Sequence, residues 1–254
     1  MKLMEIIQRN VFSDNQIKMM SYAITIAEIY HNGTKFDTRV KPSYEAVVKN
    51  IEYLYEKIKE KYGIDVEHSE DDPYSGDAEM IKDIHKNKRL KVYTGHSDHP
   101  VFTPEQNVKF RAVHDVFSHY GPHKNNYNPD TGKISFKGYE FSYPGEIDAY
   151  YVHRKYSPKA CHPAYFSEII GQVSYAVTTG NFAEQKCIFF ADADHYHIGH
   201  LKGKAQKRAA YIEQELKAGN DIKDSPIPVT FNGLMKNKGF TSKAGTEEAF
   251  IIIR

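Results

Sequence analysis

Two histidines five residues apart, His114 and His119, stand in the string Phe110-Arg111-Ala112-Val113-His114-Asp115-Val116-Phe117-Ser118-His119. Neutral imidazoles suit iron, zinc, nickel or copper. On an α-helix, residues five apart point ~140° away from each other. The pair therefore converges on one ion only if the ion lies beside the helix and both side chains swing toward it. Asp115 and His119 form a tighter i,i+4 pair. Taken alone, such a string is more often a polar stripe on a helix than a ligand set. Two later segments change that balance. Glu146 and His153 are seven apart, two helical turns, and so share a face. Glu168 and Gln172 are an i,i+4 pair set among Phe166, Ile169, Ile170 and Val173. A lone carboxylate is costly to bury there unless a metal or a histidine offsets the cost. An interhelical salt-bridge network is the competing explanation. The remaining histidine strings carry a weaker signal. His195-x-His197-x-x-His200, with Asp192 and Asp194 nearby, reads more often as an exposed helix entry than as a metal site. His96 and His99 lie in a loop just before the key helix, in reach of a substrate.

The elements that must position these residues are mostly helical. Apolar residues at helical spacing predict helices over 15–30 (Ile17, Met20, Ile24, Ala27) and 44–62 (Val47, Val48, Ile51, Leu54, Tyr55, Ile58), the second stopped by Gly63. Alternation predicts short strands at 64–67 and 90–93, with a helix over 78–87 between them. Thr103, Pro104 and Gln106 give a capping box with proline at the first helical position, so a helix starts there and runs to Tyr120. Residues 123–144 read as loop, with a turn at Asn128-Pro129-Asp130-Thr131-Gly132. Helices follow over 145–156 and 163–179. A shorter helical stretch then leads to the histidines at 195–200. An exposed helix over 202–217 is closed by Gly219. The apolar end, Ala249 to Ile253, suits a docked strand. The expected fold is mainly α with a small β component: a helical catalytic core and one short sheet. With no repeats and no long linker, a single domain over 1–254 is expected: a helix/strand part (1–95), a helical core carrying the site (96–182), and a C-terminal helix and tail (183–254).

Composition narrows the function. The chain has 254 residues, 40% of them hydrophobic, enough to bury a sizeable core. Lys plus Arg number 34 against 33 Asp plus Glu, which gives no electrostatic reason for nucleic acid or anionic lipid as main partner. The four basic residues within 202–208 read as a solvated helix face. Two distant cysteines, Cys161 and Cys187, argue against a zinc ribbon or a disulfide scaffold and fit a reducing compartment, here the cytoplasm. No signal-peptide core and no run of ~18 apolar residues is present, so no membrane span is expected. The 19 Tyr and 14 Phe, in a chain without Trp, read as packing rather than as a stacking platform for bases.

The string His114-Asp115-Val116-Phe117-Ser118-His119 resembles the iron-binding His-(Glu/Asp)-x-x-Gly-His element of pterin-dependent aromatic amino acid hydroxylases, over about six residues and with Ser118 where that family has Gly. A broader resemblance covers roughly residues 70–180. Asp72-Pro73-Tyr74, His99-Pro100, Asn107, Phe110 to His119, Gly145-Glu146, His153, Tyr156-Ser157-Pro158, Glu168 and Gly171-Gln172 resemble the pattern of a family of tailed-phage proteins. That family usually has Gly at Ser118 and Glu at Ile147. This resemblance implies a phage origin and use in the host cytoplasm, and brings no activity with it. The hydroxylase resemblance implies two histidines and a later carboxylate on one face of a non-haem iron: His114, His119 and Glu168, with Glu146 as second choice. Asp115, Glu146, His153 and Gln172 are then expected to orient ligands or move protons. The favoured expectation is an Fe(II) oxygenase or hydroxylase acting on a small molecule or nucleotide. A Zn(II) hydrolase is the alternative, although the HExxH of ordinary zincins is absent. A non-enzymatic phage structural or host-interaction protein is the third.

Overall fold

A computed structural model describes residues 12–95, 98–135, 141–236 and 240. The chain is mainly helical with a small β component. Helix α1 (Asp14–Asn32) starts at Ser13, which forms a capping box with Gln16. α1 is buried almost all round, because it is packed on two sides, against α7 and α8 defined below. α2 (Lys41–Lys57) runs on as a π-helical segment, Ile58–Tyr62, and stops at Gly63 in the left-handed conformation (φ 65°). β1 (Asp65–Ser69), α3 (Asp77–Asn87) and β2 (Arg89–Tyr93) follow, and the two strands pair in parallel with Val66 opposite Leu90. A crossover helix is what a parallel pair needs.

Three helical rods then carry the polar pairs. The first is α4 (Pro104–His114). It continues without a break as a π-helix, Asp115–Tyr120, and one last turn, Gly121–His123. Thr103 and Gln106 form the expected capping box. A two-residue ladder, β3 (Tyr127–Asn128) with β4 (Lys133–Ile134), folds the following loop back on itself, a second small sheet where only one was expected. The second rod is α5 (Tyr143–Tyr156), capped by Ser142. The third comprises α6 (His162–Tyr165), the π segment Phe166–Gly171 and α7 (Gln172–Thr179), closed by Gly180 at φ 74°. α8 (Gly203–Ala218) and the short α9 (Phe231–Lys236) complete the described chain. No described helix is long and apolar enough to cross a membrane.

Two apolar clusters hold these rods. One gathers α1, the start of α2, α5 and the third rod, with Tyr44, Phe110, Tyr150, Tyr165 and Phe166 at its centre. The other joins the β1–α3–β2 unit to α4 through Leu54, Met80, Ile84, Leu90, Val113 and Val116. α4 belongs to both, so two of its sides are apolar contacts and its polar residues gather on what is left. Gly171 lets the third rod lie close to α1. A Cβ there would sit 2.9 Å from the Tyr30 ring and 3.0 Å from the Phe190 ring. Arg208 ties α8 to α1 by two bonds of 2.7 and 2.8 Å to Glu28.

The helical stretch expected after residue 182 does not form. That segment runs irregularly to α8. Its backbone is taken by long-range partners instead: Cys187 N–H donates to Lys35 O (3.0 Å), Asp37 N–H to Cys187 O (2.9 Å) and Lys186 N–H to the Tyr30 hydroxyl (2.9 Å). Those bonds replace an i→i+4 ladder. His96 and the Ala249 to Ile253 strand lie outside the described residues.

Candidate metal centre and its cavity

The α-to-π switch at Asp115 decides how the two histidines meet. His114 ends the α-helix and His119 lies in the π segment. An i→i+5 ladder sets residues five apart one above the other, where an α-helix would splay them. Their Nε2 atoms are 2.9 Å apart, with the rings edge-on. π segments of this kind concentrate at functional sites.

α5 brings the carboxylate. Glu146 is in its first turn, where the helix dipole favours negative charge. Its Oε2 is 3.2 Å from His114 Nε2 and its Oε1 is 3.5 Å from His119 Nε2. Ligand atoms at right angles around an ion with ~2.1 Å bonds are about 3.0 Å apart, and the three separations, the two to Glu146 made by its different oxygens, lie near that value. Asp115 offers a further carboxyl oxygen within 4.8 Å of the histidine donor atoms. Two turns along α5, His153 stacks on His114, and its Nε2 lies 3.2 Å from His114 Nδ1.

Burial and the neighbouring charges set the protonation states of this group. Burial drives the His153 pKa well down, and the neighbouring His114 and His119 push the same way, so His153 is neutral. Burial also opposes charge on His114, but Glu146 beside it outweighs burial and raises its pKa. Glu146 is held low by the two histidines against its own burial. Burial raises the Asp115 carboxyl to about 7. With its Nε2 turned toward Glu146 and His119, His114 can hold its proton on Nδ1 and donate it to His153. Such a partner fixes tautomer and ring orientation, and its loss typically weakens metal binding about 10–100-fold. His153→Ala is expected to weaken metal binding by that factor with the fold kept, read by competition against a chromophoric chelator. Unchanged affinity would reduce His153 to a packing residue.

Glu168 lies in a second cluster. It accepts from the Tyr44 hydroxyl, from His99 Nε2 (3.1 Å) and from Gln172 Nε2 (2.6 Å). His99 Nδ1 accepts two backbone N–H groups, from Val101 (3.1 Å) and Phe102 (2.8 Å). His99 therefore carries its proton on Nε2, where it serves as a donor and has no lone pair for an ion. Cys187 Sγ is 3.8 Å from the same nitrogen, and burial, then Glu168, pushes its thiol up to about 12. The Glu168–His99–Cys187 group has metal-like spacing but is a hydrogen-bond network. Gln172 links it outward by exchanging amide bonds with Gln185 (3.1 and 3.3 Å).

Both clusters open on one cavity of about 320 Å³. Asn107, Phe110, Arg111 and His114 line it from one face of α4, and Glu146, Glu168 and Gln172 from the other rods. Arg111 Nη1 donates to the carbonyls of Tyr93 (2.5 Å) and Gly95 (2.8 Å). His114 and Glu146 each keep 16% of their side-chain surface exposed, while His119 keeps none, so the centre is reached past His114 and Glu146. Sequence reasoning missed Tyr44, Asn107, Arg111 and Cys187. The spacing 107, 111, 114 on one helix was a usable signal for Asn107 and Arg111. Nothing local marks Tyr44 or Cys187. The other histidine string does not converge: His195 Nε2 is 3.2 Å from Phe190 O, and His197 pairs at the surface with Asp194 (3.1 Å). Compared with protein-family models, curated proteins and solved structures, the chain matches none.

Proposed function

We propose that this chain is a metal-dependent enzyme whose ion is held by His114, His119 and Glu146, with Fe(II) the favoured metal and oxidation of a small molecule by O2 the favoured reaction. The observation that carries the reading is the convergence of two imidazole nitrogens, 2.9 Å apart, on the two oxygens of one carboxylate, at 3.2 and 3.5 Å, beside a cavity. Two neutral histidines and one carboxylate on one face leave open positions for O2 and a substrate, the arrangement of non-haem Fe(II) oxygenases. The bound ion would supply the redox chemistry. The chain's own contributions are orientation and exclusion of water. His153 holds the His114 ring, Phe110 stacks on both His114 and His153, and the Phe141 ring stands edge-on to His119. Asp115, half-buried beside the pair and with its carboxyl raised to about 7, is suited to hold or release a proton there.

The same carboxyl favours a second reading, a Zn(II) hydrolase in which Asp115 takes the proton of an attacking water. Apo-protein reconstituted with Fe(II) under argon, and separately with Zn(II), distinguishes the two. O2 uptake dependent on an added small molecule or nucleotide, with iron only, is expected. Hydrolysis of ester or peptide substrates with zinc only would transfer the assignment to the hydrolase. A fully folded chain that takes up neither ion would sink both.

A further inference from the structure

We propose that Phe182 is a gate on the cavity beside the metal centre, and that its ring turns inward over a bound small molecule with an apolar body about the size of a cyclohexyl group. The third rod presents two stripes to this cavity. Glu168 and Gln172 form one. Ile169, Val173 and Ala176 form the next, at i, i+4 and i+7. At the end of α7, Gly180 takes φ 74° and its N–H bonds Ala176 O (2.8 Å), which turns the chain back beside the apolar stripe. Phe182 and Ala183 follow that turn and line the same cavity. The cavity holds about 320 Å³. An engineered apolar cavity of about 150 Å³ takes up benzene, so there is room here for one such ring and a short polar end.

Phe182 is 80% exposed. A lone exposed ring is ordinary on a protein surface. This one borders a cavity whose adjoining wall is apolar, so a ligand there gives the ring a surface to be buried against. The backbone need not move. On one side Asn181 N–H donates to the Thr179 hydroxyl (3.2 Å), and on the other Glu184 O accepts from the Tyr30 hydroxyl (2.8 Å). Rotation about the side-chain bonds is enough, and exposed rotamers exchange in picoseconds to nanoseconds. Taking a phenylalanine ring out of water is worth about tenfold or more in affinity. A ring closed over the ligand also keeps water from the ion, as lids do in enzymes. The gate deepens the functional reading above and rests on it only for that last role, not for the binding.

The chain has no tryptophan, so Phe182→Trp places a single fluorophore at the rim. The probes are cyclohexanol and trans-1,4-cyclohexanediol, alike in shape, the second with a hydroxyl at its far end. Both are titrated into the full chain, metal-free and with one equivalent of Co(II). Cyclohexanol is expected to shift the emission of Phe182→Trp to the blue and to reduce its quenching by acrylamide. The diol should need at least about tenfold more for the same shift, since its second hydroxyl meets an apolar wall. Phe182→Ser, compared with the unaltered chain by NMR titration, should bind cyclohexanol about tenfold more weakly at an unchanged thermal midpoint. No cyclohexanol binding, no emission shift at saturation, an equal response to both probes, or unchanged affinity in Phe182→Ser each overturns the gate. Cobalt stoichiometry, read on the same samples, judges the metal centre separately. The shift without bound cobalt sinks the metal reading and leaves the gate standing, and bound cobalt without the shift does the reverse.

Discussion

His119→Ala is expected to lower bound metal from about one ion per chain to less than about a tenth, because a three-ligand centre reduced to two no longer competes with water and buffer for the ion. His119 is the right residue to remove. Its ring is wholly buried, its Nε2 faces both His114 and Glu146, and no other described histidine lies in position to replace it. Alanine leaves a hole beside Phe141, so the fold is checked by circular dichroism, and His119→Gln, which keeps most of the volume, serves as the second variant. Glu146→Ala should match the metal loss. Metal content measured on anaerobically purified protein decides the matter: stoichiometry unchanged in both His119 variants would remove the centre from this site.

Glu168→Ala is expected to cost stability, about 3–5 kcal/mol, with the ion retained by whatever fraction stays folded. The carboxylate is the shared acceptor of the Tyr44 hydroxyl, His99 Nε2 and the Gln172 amide. Removing it leaves these donors in a core where Tyr44 has no exposure, and an orphaned buried donor costs about 1–3 kcal/mol. His99 cannot rescue itself by switching tautomer, since its Nδ1 already accepts from Val101 and Phe102. Glu168→Gln keeps one acceptor oxygen and is expected to lose about 1–3 kcal/mol, so it remains folded and testable. Urea midpoints give the stability and elemental analysis gives the metal. If Glu168→Gln folds with unchanged stability but loses its metal, Glu168 and not Glu146 is the carboxylate ligand.

The two carboxylates thus divide the work through the company that each keeps. Glu146 faces two imidazole nitrogens that can present lone pairs, at a helix start that favours its charge. Glu168 faces only donors. A carboxylate already holding the protons of a phenol, an imidazole and an amide has little left for an ion, whereas one facing lone pairs needs a cation or a proton between them.

Much of this was readable in the chain itself. The capping box Thr103–Gln106, the stop at Gly63, the closure of α8 at Gly219 and the apolar stripes at helical spacing are local signals, because capping and backbone conformation depend on residues three or four apart. The same local rule put Glu146 and His153 on one face of α5, and Glu168 with Gln172 on the third rod. Three things lay beyond it. The π segment at Asp115–Tyr120 brings His114 and His119 together, and its single extra residue per turn leaves no mark in an apolar period read over one helix. That Glu146, and not Glu168, stands opposite His114 and His119 depended on how the rods pack, which residue type does not encode. The extended path of residues 183–190, which brings Cys187 beside His99 and denies a helix there, follows from bonds to Lys35, Asp37 and Tyr30, about 150 residues away in the chain. Local spacing thus determined which residues could share a face; only the packing of the three rods decided which faces meet, because that depends on burying every rod's apolar sides at once.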